Sequence, residues 1–253
     1  MAKAAVNPTQ SVRLLASALG STDFTDVRSN APGYFLGVYT TPDNSSRILN
    51  AFRAPSTLFG GQWYNWYAHL MDFDLSSIDG EITAVKLKLY GRSHNNDDGD
   101  AIIMEGTFDS SITSTDMQSF TGHDTYLGAG DDDWDADDVT EYSSTFGPKE
   151  GGWDEDGWNE LTLNSDAISA AETARGAGNR LKFFICNKSS IFDNSSSDFS
   201  TTPQYFNINY YANTDATYKP ELVVTYVGTE IETYGITMKS GTVNLKSGNL
   251  TIK

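Results

Sequence analysis

The chain has 253 residues, enough for one large domain with appendages, and 38% of them are hydrophobic, with 12% aromatic residues available for a core. Its 34 acidic residues outnumber 17 lysines and arginines, which gives a formal net charge of -17 at pH 7. Because phosphate backbones and anionic lipids are also negative, this charge argues against nucleic acid and membrane surfaces as partners.

The N-terminal residues 1–46 are predicted to be an arm that precedes the main domain. Residues 1–8 lack the apolar stretch of a secretory signal, and nowhere do 18 apolar residues run together. We therefore expect synthesis in the cytoplasm without a signal peptide. Val12, Leu15 and Leu19 recur at helical spacing before Gly20, which predicts a short amphipathic helix over residues 9–20, with an arm as an equal alternative.

Residues 47–228 are predicted to form an all-β, jelly-roll β-sandwich domain. Short segments rich in β-branched and aromatic residues are separated by turn residues. The predicted strands are 47–54, 63–73, 81–91, 101–108, 158–163, 180–187, 204–211 and 221–227. Apolar and polar residues alternate in 81–91, which indicates one buried face. Segment 221–227 is apolar on both faces and is predicted to be covered on both.

One short helix is predicted within this domain, over residues 166–175. Ser165 is the predicted cap and Gly176 the end, and the alanine-rich face should pack across one end of the sandwich. Cys186, the single cysteine, lies in an apolar run and is predicted to be a buried thiol. Segments 92–100 and 109–157 are acidic and contain glycine, so we expect loops at an edge of the fold.

The C-terminal residues 229–253 form a β-repeat tail with a distinct pattern. An apolar-Lys-Ser-Gly unit recurs every seven residues, and apolar positions alternate with polar ones as in strands. Each unit is too short to bury its own apolar face, so we expect a neighbouring chain to cover it, most simply in a homotrimer or by strand addition to another protein. The predicted oligomerisation residues are Met238, Val243, Leu245, Leu250 and Ile252. An additional edge strand or a loose tail is the alternative.

Three motifs in order resemble the DNRLRE-type jelly-roll domains of bacterial surface proteins, secreted proteins and some phage proteins. They are Phe73-Asp74-Leu75-Ser76 followed by Leu87-Lys88-Leu89-Tyr90, then Gly157-Trp158-Asn159-Glu160-Leu161, and finally Lys219-Pro220-Glu221-Leu222. Lys219 stands where that family usually has arginine. The resemblance implies a sandwich with a structural, adhesive or carbohydrate-binding role and no inherited catalytic residues.

No catalytic constellation is apparent in the sequence, and we predict that the chain is not an enzyme. The histidines His69, His94 and His123 are not at zinc-motif spacing, and neither a nucleophile elbow nor a phosphate-binding glycine loop occurs. His69 is expected to be a core or surface side chain. A polysaccharide-degrading enzyme with paired carboxylates is the least favoured alternative.

Two acidic segments are candidates for a calcium site. Calcium takes six to eight oxygen ligands, and carboxylates clustered near glycine can supply them. The candidate ligands are Asp97, Asp98, Asp100, Asp131, Asp133 and Asp135. A solvated acidic loop is the alternative, and no other cofactor is predicted.

Two tryptophans of the second acidic segment, Trp134 and Trp153, are candidates for glycan binding, because sugars stack on exposed rings beside polar side chains. Packing in the core or anchoring of the loop is the alternative. Combined with the absence of a signal and the repeat tail, these features favour a structural virion protein of a tailed bacteriophage, a capsid decoration or fibre-like component exposed on the particle and bound to other capsid or tail proteins. The alternative is a carbohydrate-binding or adhesion module of a cell-surface protein.

Overall fold

The computed structural model describes residues 1–20, 35–39, 47–56, 61–92, 99–109, 112, 116, 120, 139–176, 178–188, 192, 204–211 and 217–228. Within them the chain forms eleven strands and one α-helix, α1 (Ser165–Arg175). The strands are β1 (Ala2–Val6), β2 (Gln10–Gly20), β3 (Phe35–Tyr39), β4 (Arg47–Ser56), β5 (Gly61–Phe73), β6 (Gly80–Gly91), β7 (Ala101–Glu105), β8 (Trp158–Thr162), β9 (Leu181–Asn187), β10 (Gln204–Tyr211) and β11 (Glu221–Gly228). The all-β prediction and its eight strands between 47 and 228 are confirmed, although individual strand ends shift by a few residues.

The predicted helix over 9–20 is wrong, because these residues form the long strand β2. β2 pairs antiparallel with β5 along its whole length, from Gln10 opposite Asp72 to Gly20 opposite Gln62. Val12 and Leu14 are buried while Arg13 between them is not, which is the period of two of a strand. Hydrogen bonding to a distant strand therefore overrides the helical spacing. β1 likewise pairs with β11, so both N-terminal strands hydrogen-bond to strands of the 47–228 segment.

The strands are all antiparallel and divide into two sheets. The first sheet has the order β1-β11-β6-β8, and the second has the order β3-β2-β5-β9-β7. β4 and β10 pair with each other and connect the sheets, since β4 also pairs with β5 and β10 with β6. Alternate residues of each sheet can therefore face a shared interior.

One hydrophobic core lies between the two sheets and α1. Its members from both sheets include Phe73 and Phe183 of the second sheet and Leu87 and Leu222 of the first. The helix contributes Ala167, Ala171 and Ala174, all buried, and packs against β6 and β9 as predicted. Its cap differs from the prediction: Asn164, not Ser165, accepts hydrogen bonds from the backbone N–H groups of Asp166 and Ala167, both at 3.1 Å.

The second sheet is buried on its outer face as well. Phe184 and Cys186 of β9 point away from the shared core and are fully buried, which confirms the buried thiol. Phe108 and Phe120 help to cover this face, with the ring of Phe120 4.8 Å from that of Phe184. Lys182 donates a hydrogen bond to the carbonyl of Phe108. Phe120 belongs to segment 109–157, predicted to be a polar loop, so this segment contributes an aromatic residue to the interior.

The prediction that 221–227 is covered on both faces is wrong. In β11 only Leu222 and Val224 are buried, and Val227 is 47% exposed. The other face of β11 lies beside the partly exposed Lys86 and Lys88 of β6, so it faces solvent. Strands covered on both faces lie instead in the second sheet, where consecutive residues of β7 and β9 are buried.

Candidate binding groove

A groove of about 550 Å³ runs along β8, between the edges of the two sheets. One wall is β8, which among the described residues pairs with β6 alone. The other wall is the segment 143–154, whose start is hydrogen-bonded to β7 of the second sheet. Ile103 accepts a hydrogen bond from the backbone N–H of Tyr142 at 2.8 Å, and Ala101 donates to the carbonyl of Phe146 at 2.7 Å. The groove is therefore the open side of the sandwich.

A turn over 154–157 closes one end of the groove and leads into β8. Asn159 holds this turn with two hydrogen bonds to the backbone of Asp154, at 2.8 and 2.9 Å. A Cβ atom at Gly157 would lie 2.0 Å from the carboxylate of Asp154, so a larger residue there would force that side chain to move. A Cβ on Gly91 would lie 1.8 Å from the Asp154 carbonyl. The turn thus packs directly on β6, which fixes the start of β8.

Two tryptophans line the groove from opposite walls. Trp158 is 38% exposed, and its ring meets that of Tyr90 edge-on at 5.4 Å, while the Lys88 ammonium lies 4.9 Å from the ring centroid. Trp153 is partly buried, 6.1 Å from the ring of Phe146. The indole Nε1 of Trp153 is buried and has no hydrogen-bond acceptor within the part of the chain that the structure describes. The groove is therefore lined by one exposed ring and by one ring whose donor is buried beneath it.

Within the described residues, the backbone of β8 has an unpaired hydrogen-bonding edge on the side of the groove. Leu163 donates to Val85 at 3.0 Å, and Gly91 donates to Gly157 at 2.8 Å, so the odd-numbered residues of this stretch face β6. In an antiparallel ladder the intervening residues point the other way. The N–H and C=O groups of Trp158, Glu160 and Thr162 are therefore directed away from β6, toward the groove.

The charged side chains lining the groove are acidic: Glu150, Asp154 and Glu160. No lysine or arginine is among the described residues that line it. Glu160 forms an exposed ion pair with Lys86 at 3.1 Å, on the solvent face of the first sheet. An occupant with cationic or hydrogen-bond donor groups therefore matches the groove.

Only one predicted glycan-binding residue can be placed in the groove. Trp153 lines it, whereas Trp134 lies outside the described residues. In the sequence, Trp158 borders the acidic segment and lies in a predicted strand, and it is not among the predicted glycan-binding residues. The alternation of Trp158, Glu160 and Thr162 with Asn159 and Leu161 places the tryptophan on the polar face, and this pattern could have identified it.

The structure places one of the six predicted calcium ligands. Asp100 is 2% exposed, and its carboxylate pairs with the Lys149 ammonium at 3.2 Å. The other five, Asp97, Asp98, Asp131, Asp133 and Asp135, lie outside the described residues, as do the predicted oligomerisation residues Met238, Val243, Leu245, Leu250 and Ile252. In the part of the chain that is described, acidic, histidine and cysteine side chains form no group suited to a metal ion.

A second cleft, of about 480 Å³, lies where the C-terminal end of α1 meets β5 and β9. Its buried Asp72 accepts a hydrogen bond from the backbone of Gln10 at 2.7 Å and faces the Arg180 guanidinium at 3.4 Å. Burial raises the pKa of Asp72, and the Arg180 charge opposes that shift. Because Asp72 links β2, β5 and β9, we interpret this cluster as structural.

The fold is mostly β, with two antiparallel sheets and one helix, and an acidic groove lined by two tryptophans lies at their edges. Comparison with protein families and with curated proteins finds no match for the chain. Among the described helices, none has the length and hydropathy to cross a membrane.

Proposed function

We propose that the chain is a structural protein of a tailed-bacteriophage particle, a head decoration or fibre-like component, whose sandwich is a jelly roll of the DNRLRE type. It acts by assembly with other capsid or tail proteins and is exposed on the particle surface. Catalysis has no part in this role.

The observation that carries the proposal is the order of the strands. A jelly roll interlocks two Greek keys, with its first, eighth, third and sixth strands in one sheet and its second, seventh, fourth and fifth in the other. The orders β1-β11-β6-β8 and β5-β9-β7 fit this scheme when segment 141–146, bridged to β7, is counted as the fifth strand and β2, β3, β4 and β10 are counted as additions to it. Viral capsid and lectin domains use this architecture, so the support is by fold analogy.

The position of the last described strand supports an assembly role for the tail. β11 ends at Gly228, next to the exposed Val227. The repeat over 229–253 thus follows a strand end at the surface, from which it can extend to a neighbour. A homotrimer is the simplest assembly of such a repeat.

Light scattering of the full chain tests assembly. We expect a mass that is a multiple of the 27.7 kDa chain, and a shift toward the monomer for Val243→Asp and Leu250→Asp. Lys3→Ala, in the exposed β1, is the matched control and should not change the mass. A monodisperse monomer at all concentrations would contradict the proposal, as would absence of the protein from particles purified out of producing cells.

Glycan binding is the second candidate function, favoured by the exposed ring of Trp158 in a groove that also holds Trp153 and acidic side chains. Such a site would serve a virion or a cell-surface adhesin equally. A glycan array tests it: we expect hits that are lost in Trp158→Ala, and an array without hits removes this function.

A further inference from the structure

We propose that the free edge of β8 binds the C-terminal repeat, residues 238–253, of a second copy of this chain as an added β-strand. This inference rests on the proposed assembly role and names the surface that would mediate it. The contact is head-to-tail, because the groove of one copy receives the tail of the next, and such contacts close into rings or extend into fibres.

The outward backbone groups of β8 are suited to pairing with an added strand. Trp158, Glu160 and Thr162 direct their N–H and C=O groups into the groove, and no described strand pairs with them. A strand edge with unpaired backbone groups is a template for pairing with another chain. The groove beside it has about 550 Å³ of space, so a short extended segment can lie along this edge.

The alternation of side chains along β8 matches that of the C-terminal repeat. On β8, Trp158, Glu160 and Thr162 lie on the solvent face, whereas Leu161 is turned toward the core. In the tail, segments 242–246 and 249–253 each alternate polar and apolar residues and end in lysine. Either one, when extended beside β8, can put its two apolar residues on the side of Leu161 and its polar residues on the side of Glu160.

The charges of the groove and of the C-terminal repeat are opposite in sign. Glu150, Asp154 and Glu160 make the groove acidic. Residues 238–253 contain three lysines and no acidic residue, although the whole chain has a net charge of -17. Copies of so acidic a protein repel one another, and the basic tail is the part of the chain that the groove attracts. The carboxylate of Glu160 forms an ion pair with the Lys86 ammonium on the solvent face of the first sheet, so it is also placed to pair with a lysine of an added strand.

Trp153, whose ring lines the groove, has a donor that can form a further hydrogen bond with an added strand. The ring of Trp153 lines the groove, while its Nε1 donor is buried and has no acceptor among the described residues. Buried donors in proteins are nearly always satisfied. An added strand brings backbone carbonyls, which can accept this donor once the indole turns toward the groove.

Sedimentation analysis of the full chain with a change in the β8 backbone tests the inference. Thr162→Pro removes one outward N–H and leaves the bond between Leu163 and Val85 in place. Thr162→Ala is the matched control, since it keeps that N–H. We expect Thr162→Ala to associate like the natural chain and Thr162→Pro to associate at least about tenfold more weakly, with an unchanged β-type circular dichroism spectrum. Equal association of the two variants would overturn the inference.

Charge reversal with rescue gives a second test that does not depend on proline. Glu160→Lys should weaken association, and so should Lys246→Glu combined with Lys253→Glu. All three changes together should restore association, because the attraction is rebuilt with opposite signs. Failure of the combination to recover association, with each parent weakened, would overturn the pairing.

Three outcomes separate this inference from the function on which it rests. If association is unchanged by every substitution in β8 and in the tail lysines, the inference is wrong but the assembly role is retained. If the chain is monomeric at all concentrations, both are wrong. Glycan binding that is lost in Trp158→Ala, with association unaffected by Thr162→Pro, assigns the groove to sugar and overturns strand addition.

Discussion

The double burial of β9 predicts that two adjacent phenylalanines on opposite faces are both essential for stability. Phe183 packs in the shared core beside Phe73, with ring centroids 5.3 Å apart, and Phe184 packs on the outer face against Phe120 at 4.8 Å. Both are fully buried. Truncation to alanine removes the transfer free energy of a buried ring and leaves a cavity, together about 3–5 kcal/mol. We therefore expect both Phe183→Ala and Phe184→Ala to lower the free energy of unfolding by that amount.

Urea unfolding followed by circular dichroism measures this loss, and for a chain of this size it corresponds to a fall in Tm of roughly 10 °C. Val227→Ala in β11 is the control, since its side chain is 47% exposed and the change should stay within about 0.5 kcal/mol. A cost for Phe184→Ala below about 1 kcal/mol, beside the full cost for Phe183→Ala, would refute the second buried face.

Three further predictions concern charge, capping and metal. Burial raises the pKa of Asp72, so the folded state retains its proton to higher pH than the unfolded state, and stability contributed by Asp72 falls as pH rises above 3.8, the ordinary pKa of an aspartate. Asp72→Asn should accordingly gain stability relative to the natural chain between pH 3 and pH 7 in urea titrations, and a relative loss over that interval would contradict the assignment. Asn164→Ala should cost about 1 kcal/mol by removing the helix cap, whereas Ser165→Ala should be nearly neutral, and the reverse order would restore Ser165 as the cap. If the predicted acidic loop at 131–138 holds calcium, EDTA should lower the Tm, and an unchanged Tm removes the site.

Most strands could be predicted because their signals are local. In β6 the alternation of Val85, Leu87 and Leu89 with polar residues indicates one buried face, and the structure has that face in the core. α1 could be predicted from its alanines and Gly176, although the adjacent candidates Asn164 and Ser165 made the cap ambiguous. Such features depend on residues close together in the chain.

The errors come from contacts between distant residues. Residues 9–20 fit a helix by spacing, but eleven backbone pairings with β5 make them a strand. Segment 221–227 is apolar on both faces, yet no described element covers its outer face, whereas aromatic residues from a polar segment cover β9. The groove exists because β8 is the edge of a sheet. The residues Trp158 to Thr162 do not by themselves indicate the order of the strands, so the groove could not be predicted from them.

Amide hydrogen exchange on β8 tests the assembly of the sandwich through its free edge most directly. The amides of Trp158, Glu160 and Thr162 should exchange slowly in the associated full chain and quickly in a chain carrying Val243→Asp and Leu250→Asp. The amides of Leu161 and Leu163, which face β6, should be slow in both and report that the fold is retained. The account would be contradicted if these three amides exchanged as quickly in the associated natural chain as in the substituted chain, because no strand would then be paired with the outer edge of β8.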